Sequence, residues 1–143
     1  MINISTVKVD EVFVDTSAWL ALNDKTDEYH NRSVSKGSEI KKQRTELITS
    51  EYIIDESITL IRYRVSHHAA VIFGDALLAS SIIKIIDITN EDRFKAWEIF
   101  KRYGDKELSF TDCTSFAVME RLSLKRLLHL MNILKRWDLK YFS

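Results

Sequence analysis

Val9-Asp-Glu-Val-Phe-Val-Asp-Thr-Ser-Ala-Trp-Leu-Ala-Leu22 is the stretch around which the rest of the chain is organised. Val12, Phe13 and Val14 form an unbroken apolar run, as a strand buried on both faces does. Asp15-Thr16-Ser17 reads as the turn that leaves it, and Ser17–Leu22 as the first turns of a helix. An acid at the exit of a buried strand stands where open α/β sheets bind their ligands, outside the carboxyl ends of the strands. The plainer reading makes Asp15 only a helix cap, worth about 1 kcal/mol. Comparable acids elsewhere in the chain decide between the two.

Downstream, strands and helices alternate. The first strand spans about Glu11–Val14, and 27–43 reads as a mostly exposed helix with a thin stripe of Tyr29, Val34 and Ile40. Its basic end at Lys41, Lys42 and Arg44 suits the helix dipole. Glu46–Ser50 reads as a second strand, and Ile54–Val65 as a helix with Ile54, Ile58, Ile61 and Val65 on one face. His67–Ser80 is a further helix, and the β-branched run Ile82–Asp87 a third strand. A helix starting near Asn90 carries Phe94, Trp97, Phe100 and Tyr103 on one face, with Gly104 as its stop. Ser109–Arg121 is the next helix, with Cys113, Phe116, Ala117 and Glu120 at helical spacing. This alternation predicts an α/β fold: a central, mainly parallel sheet in a three-layer α/β/α sandwich.

Two more acids occupy places like that of Asp15. Glu56 follows the second strand and lies early in its helix; Asp112 lies in the first turn of its own. Each has a local explanation, since acids there favour the helix dipole by about 0.3–1 kcal/mol, and Ser109-x-x-Asp112 has the form of a capping box. Convergence of Asp15, Glu56 and Asp112 at one end of the sheet has a different consequence. Like charges about 4 Å apart repel by about 4 kcal/mol at an effective dielectric of about 20. Such a cluster calls for a cation or a shared proton. Oxygen-only ligands suit Mg²⁺ or Mn²⁺, and the matching chemistry is phosphodiester hydrolysis by a metal-activated water.

The composition fits one domain over the 143 residues, with 45% hydrophobic residues for a core. The 21 basic and 21 acidic residues cancel, so nucleic-acid binding requires a local patch. A single cysteine, Cys113, excludes an internal disulfide and fits a reducing compartment. No apolar run reaches membrane-spanning length and no signal-peptide core is visible, so the expected place is the cytoplasm, with no membrane association.

Three stretches together carry a resemblance: Val14-Asp-Thr-Ser-Ala-Trp-Leu-Ala21, Thr49-Ser-Glu-Tyr-Ile-Ile-Asp-Glu-Ser-Ile-Thr-Leu60 and Leu108-Ser-Phe-Thr-Asp-Cys113. In this order they resemble the signature stretches of PIN-domain proteins, and most nearly those of VapC-type toxins of prokaryotic toxin–antitoxin pairs. The resemblance implies an Mg²⁺- or Mn²⁺-dependent ribonuclease acting on RNA, with Asp15, Glu56 and Asp112 as acidic catalytic and metal-site residues. It also implies a cognate antitoxin and a homodimer. Asp105, in the turn after Gly104, is a weaker metal candidate; Thr16 and Ser109 are candidates for supporting hydrogen bonds to a ligand or water.

The C-terminal segment departs from the family pattern, in which a strand and an acidic turn T-F-D-x-H-F supply a fourth acid. Here no acid stands near Met131 or Asn132, and Asp138 comes too late. One choice of codons for residues 124–140, read out of step by one nucleotide, gives K-K-A-F-T-F-D-E-H-F, the family ending. As the chain stands, Leu127, Leu128, Leu130, Met131, Ile133 and Leu134 read as a helix or a poor strand. Loss of one acid weakens the expected metal site, which leaves a catalytically impaired PIN domain, binding an antitoxin or RNA, as the alternative. A phosphoacceptor receiver domain fits less well, because Asp10-Glu11 lies in the same strand as Asp15. His67-His68 read as surface residues, since neighbours on a helix point about 100° apart. Cys113, Trp19, Trp97 and Trp137 read as packing residues. Lys41, Lys42, Arg44, Arg62 and Arg64 read as a solvated face rather than RNA contacts.

Overall fold

The computed structural model describes residues 10–124 and the short strand at 127–128. The expectations for 129–143, including Trp137, lie outside the described residues. Four strands, β1 (Glu11–Val14), β2 (Glu46–Ser50), β3 (Ile83–Ile86) and β4 (Leu127–Leu128), form one sheet in the order β3-β2-β1-β4, with every pairing parallel. Parallel neighbours require crossover connections, and these are helices. They are α1 (Thr16–Asn23), α2 (His30–Lys42), α3 (Glu51–Arg64), α4 (His67–Ala79), α5 (Asn90–Arg102) and α6 (Phe110–Arg121). The result is the three-layer α/β/α arrangement expected from the alternation. Of the C-terminal segment read as a helix or a poor strand, Leu127 and Leu128 form the short β4 paired with Phe13 and Val14 of β1.

Val12, Phe13 and Val14 are buried, as an interior parallel strand must be, while β3 is an edge strand with Lys84 and Ile85 exposed. A core cluster joins β1 to Trp19, Ile48, Ile53, Ile61, Phe73 and Leu77, and a second joins α5 to α6 through Ala96, Ile99, Leu108, Cys113 and Phe116. Cys113 is buried as expected, and burial pushes its thiol up to about 11, so it packs as a small apolar group.

The inner faces of several helices differ from the sequence reading. α3 buries Ile53, Ser57 and Ile61, while Ile58 and Val65 are exposed. α5 buries Asp92, Ala96 and Ile99, while Phe94, Trp97 and Phe100 face solvent. The physical reason is close packing: α5 lies tightly along α6, and small Ala96 fits that seam where an indole does not. Trp97 stacks on Phe100 at 5.6 Å, and both meet the edge of Phe110, giving an exposed aromatic patch. Trp97 is therefore not a core residue, whereas Trp19, packed at 5.6 Å against Phe73, is.

Candidate functional site

The carboxyl ends of β1 and β2 feed directly into α1 and α3. Asp15 occupies the N-cap position of α1 with extended backbone (φ −92°, ψ 167°), yet its side chain makes no capping hydrogen bond. Its carbonyl instead accepts the amides of Ala18 and Trp19, at 3.1 and 3.3 Å. The cap explanation thus accounts for the backbone of Asp15 and not for its carboxylate, which is only 6% exposed.

Ser50 caps α3 by accepting from the Ile53 amide, which sets the helix going immediately after β2. Glu51, its first residue, is tied to the fold: its carboxylate accepts from the Ile88 amide at 2.7 Å. Glu56, more than a turn further on, faces the end of β1. The Thr16 hydroxyl donates to Glu56 Oε2 at 3.1 Å, linking the start of α1 to α3 across the sheet end. Burial pushes the Glu56 carboxyl above its ordinary range; the Thr16 hydrogen bond opposes this, and the charges of Asp15, Asp112 and Asp55 add to it. Glu56 therefore senses both other candidate acids, which arrive from separate stretches of chain.

Asp112 opens α6. Ser109 Oγ accepts from the Asp112 amide at 3.0 Å, and Asp112 Oδ2 accepts from the Ser109 amide at 2.9 Å, completing the capping box read from the sequence. Ser109 thus orients Asp112. Asp105 lies in the exposed turn between α5 and α6. Exposed His67 and His68 open α4, as the sequence suggested.

An acidic group at the start of a helix also has a purely structural form in this molecule. Asp92 forms a capping box with Thr89, and its carboxylate takes Arg121 Nε at 3.0 Å and a terminal guanidinium nitrogen at 2.8 Å. Sequence reading missed this pair, because Arg121 is distant in the chain and no local pattern links the two.

The donor set offered by Asp15, Glu56, Asp112 and the Thr16 hydroxyl is all oxygen, which suits a hard divalent cation. Among the described residues, no three His, Cys, Asp or Glu side chains close on a single point. Mg²⁺ usually keeps several waters and meets only one or two carboxylates directly, so an open acidic rim fits such an ion. The Glu56 carboxyl is raised chiefly by burial, and the neighbouring carboxylate charges that add to the rise are what a cation would relieve.

Away from these acids, an open cleft of about 450 Å³ runs between α3 and α4, lined by Ile58, Tyr63, His67, Val71 and Leu78 among others. None of Asp15, Glu56 and Asp112 lines it. Among the described residues, no helix is long and apolar enough to cross a membrane.

A sequence profile of the PIN domain matches residues 12–135. The 23S rRNA-specific endonuclease VapC20 of Mycobacterium tuberculosis is 32% identical over 114 residues, covering 80% of this chain and 84% of that protein. A VapC ribonuclease of Archaeoglobus fulgidus is 31% identical over 114 residues, covering 78% and 72%. The crystal structure of M. tuberculosis VapC20, described as a sarcin-ricin loop cleaving toxin, superposes with a TM-score of 0.75 at 30% identity, over 85% of this chain and 90% of that one. VapBC2 from Rickettsia felis, solved with a DNA fragment from its promoter, shares the fold with a TM-score of 0.65 at 14% identity, over 88% and 92%.

Proposed function

This chain belongs to the PIN-domain family, and from that premise we propose that it hydrolyses RNA phosphodiester bonds with a divalent metal ion, as the toxin of a toxin–antitoxin pair. The observation that carries the reading is electrostatic: beyond the effect of burial, the charges of Asp15 and Asp112 both reach Glu56 and add to the rise of its carboxyl. These three would hold Mg²⁺ or Mn²⁺; exposed Asp105 stands outside the inner set. Bound there, the ion would supply an activated water and neutralise charge developing on the phosphate.

The chain's own residues do the positioning. Asp15 offers a carboxylate fixed at a buried strand end. Thr16 orients Glu56 through Oε2. Ser109 holds one oxygen of Asp112. The raised Glu56 carboxyl keeps a proton more readily than an ordinary glutamate, so metal, which would bind the deprotonated carboxylate, loads more readily as pH rises through the raised pKa.

Two partners complete the proposal. The aromatic patch of Phe94, Trp97, Phe100 and Phe110 suits the self-complementary face of a homodimer, because aromatic residues are enriched at interface cores. The apolar cleft between α3 and α4 suits an amphipathic segment of a cognate antitoxin.

A second reading, a PIN domain that binds RNA or antitoxin without cutting, is favoured by one observation: the described acids do not close on a single point. RNA cleavage with Mg²⁺ and with Mn²⁺ separates the two. The assay compares this chain, its Asp15→Asn variant and a version carrying the family-type ending. Cleavage by the chain as given, lost in Asp15→Asn, is the expected result. Cleavage only with the restored ending would leave this chain to the binding reading.

A further inference from the structure

The β1–β2 ladder pairs Glu11 with Glu46, Val12 with Leu47 and Phe13 with Ile48, and there it ends. Val14, the residue before Asp15, has no place in that register. Its carbonyl is taken instead by a side chain: Thr49 Oγ1 donates to Val14 O at 3.0 Å. The same hydroxyl accepts from Trp19 Nε1 at 3.3 Å. A hydroxyl carries one proton and two lone pairs, so one donation and one acceptance fix its rotor.

The relay closes on Asp15 from both sides. The carbonyl before Asp15 is held by Thr49, which Trp19 holds in turn; the carbonyl of Asp15 itself accepts the Trp19 amide at 3.3 Å. Both peptide planes that flank the Asp15 side chain therefore lead to Trp19. All members are shielded from water, with Thr49 0%, Val14 2% and Trp19 5% exposed, so the bonds are not exchanged for solvent.

We propose that Thr49, held by Trp19, is a positioning residue that sets the direction in which Asp15 presents its carboxylate. This rests on the reading of Asp15 as a metal-site residue. Partners one shell removed from a metal commonly change its affinity by about 10- to 100-fold when removed. Thr49→Val keeps the branched shape and deletes the relay. Thr49→Ser keeps the hydroxyl and deletes a methyl.

Two readouts on the full chain test it: Mn²⁺ titration followed by thermal shift, and hydrogen exchange of the Trp19 indole and Asp15 amide protons without metal. Thr49→Val is expected to weaken Mn²⁺ binding about tenfold and to accelerate indole exchange, while Thr49→Ser restores both to near the parent. Trp19→Phe, a second variant should Thr49→Val not fold, leaves the Thr49 hydroxyl held by the Val14 carbonyl alone and is expected to weaken binding less. Mn²⁺ affinity of a folded Thr49→Val within twofold of the parent overturns the proposal, as does a Thr49→Ser no better than Thr49→Val. Asp15→Asn serves as the separate control. If it leaves Mn²⁺ binding unchanged, the metal assignment of Asp15 fails instead. The relay is then decided by exchange alone: unchanged protection in Thr49→Val overturns it, and lost protection upholds it.

Discussion

Replacing Arg121 with methionine removes the counter-charge of a buried carboxylate. Asp92 is 3% exposed and takes two guanidinium bonds from Arg121, which also donates to the Asp87 carbonyl at 3.2 Å. Breaking a buried pair by deleting one partner costs about 3–5 kcal/mol. The Arg121 side chain is 35% exposed, so water reaches the vacated side, and about 2–3 kcal/mol is the better expectation. Asp92→Asn is milder. It leaves the stranded charge on the more exposed partner and keeps an acceptor for the Thr89 amide, so about 1 kcal/mol follows. The double variant should cost less than the sum, with a coupling of about 1–2 kcal/mol. Urea unfolding followed by far-ultraviolet circular dichroism, at constant m-value, measures all three. The pH profile gives an independent check. Burial pushes the Asp92 carboxyl up, but hydrogen bonds from Arg121 and Thr89 overcome it and hold the group below the ordinary carboxylate range. Its contribution is therefore present above the unfolded-state pKa and lost as pH falls through the lowered native one. Arg121→Met should flatten that acid limb. An Asp92→Asn variant at least as destabilised as Arg121→Met, or strictly additive effects, would refute the reasoning.

Three further expectations concern the site and its surroundings. Glu56→Gln should raise the melting temperature at neutral pH: with a raised native pKa, Glu56 favours the fold below its unfolded pKa and loses that contribution as pH rises through the native one, so the gain should vanish in acid. Excess Mn²⁺ should stabilise the parent chain by about 2.7 kcal/mol at a hundredfold excess over Kd, with chelation reversing it and Asp15→Asn abolishing it; a thermal shift that survives Asp15→Asn would place the ion elsewhere. Phe94→Glu with Trp97→Glu should convert a dimer to a monomer in light scattering after size exclusion, leaving the circular dichroism unchanged, because Phe94 is 70% and Trp97 50% exposed; a parent chain that is already monomeric sinks the assignment of that face.

The strands and the order of elements were legible because their signal is local. Val12–Val14 is apolar without interruption and Ile83–Ile86 is β-branched, and Ser50, Ser66, Thr89 and Ser109 each cap the helix that follows. The inner faces of the helices were less legible because that signal is relational. Phe94, Trp97 and Phe100 have helical spacing, yet the seam with α6 admits Ala96 and Ile99. On α3 the seam takes Ser57, whose hydroxyl has no hydrogen-bond partner among the described residues, in preference to Ile58. Hydrophobicity ranks residues by their own transfer energy, while burial is allotted by the shape of the neighbouring helix.

The acids show the same division. Asp15, Asp92 and Asp112 all stand at helix starts, where one sequence rule covers them equally. What separates them is the charge that each meets in space. Asp92 meets Arg121, and its carboxyl is held low. At Glu56 burial pushes the carboxyl up, and the charges of Asp15 and Asp112 add to the rise. A buried acid answered by an arginine closes its own electrostatic balance and serves the fold. Acids that add their charge to one another leave negative charge outstanding; Thr16 bonds Glu56 and Ser109 bonds Asp112, and Thr49 is proposed to position Asp15. Capping and the proposed function are then not rivals at Asp112: the capping box occupies Oδ2 and fixes the rotamer, and a carboxylate held in one direction is what the proposed cation site would use.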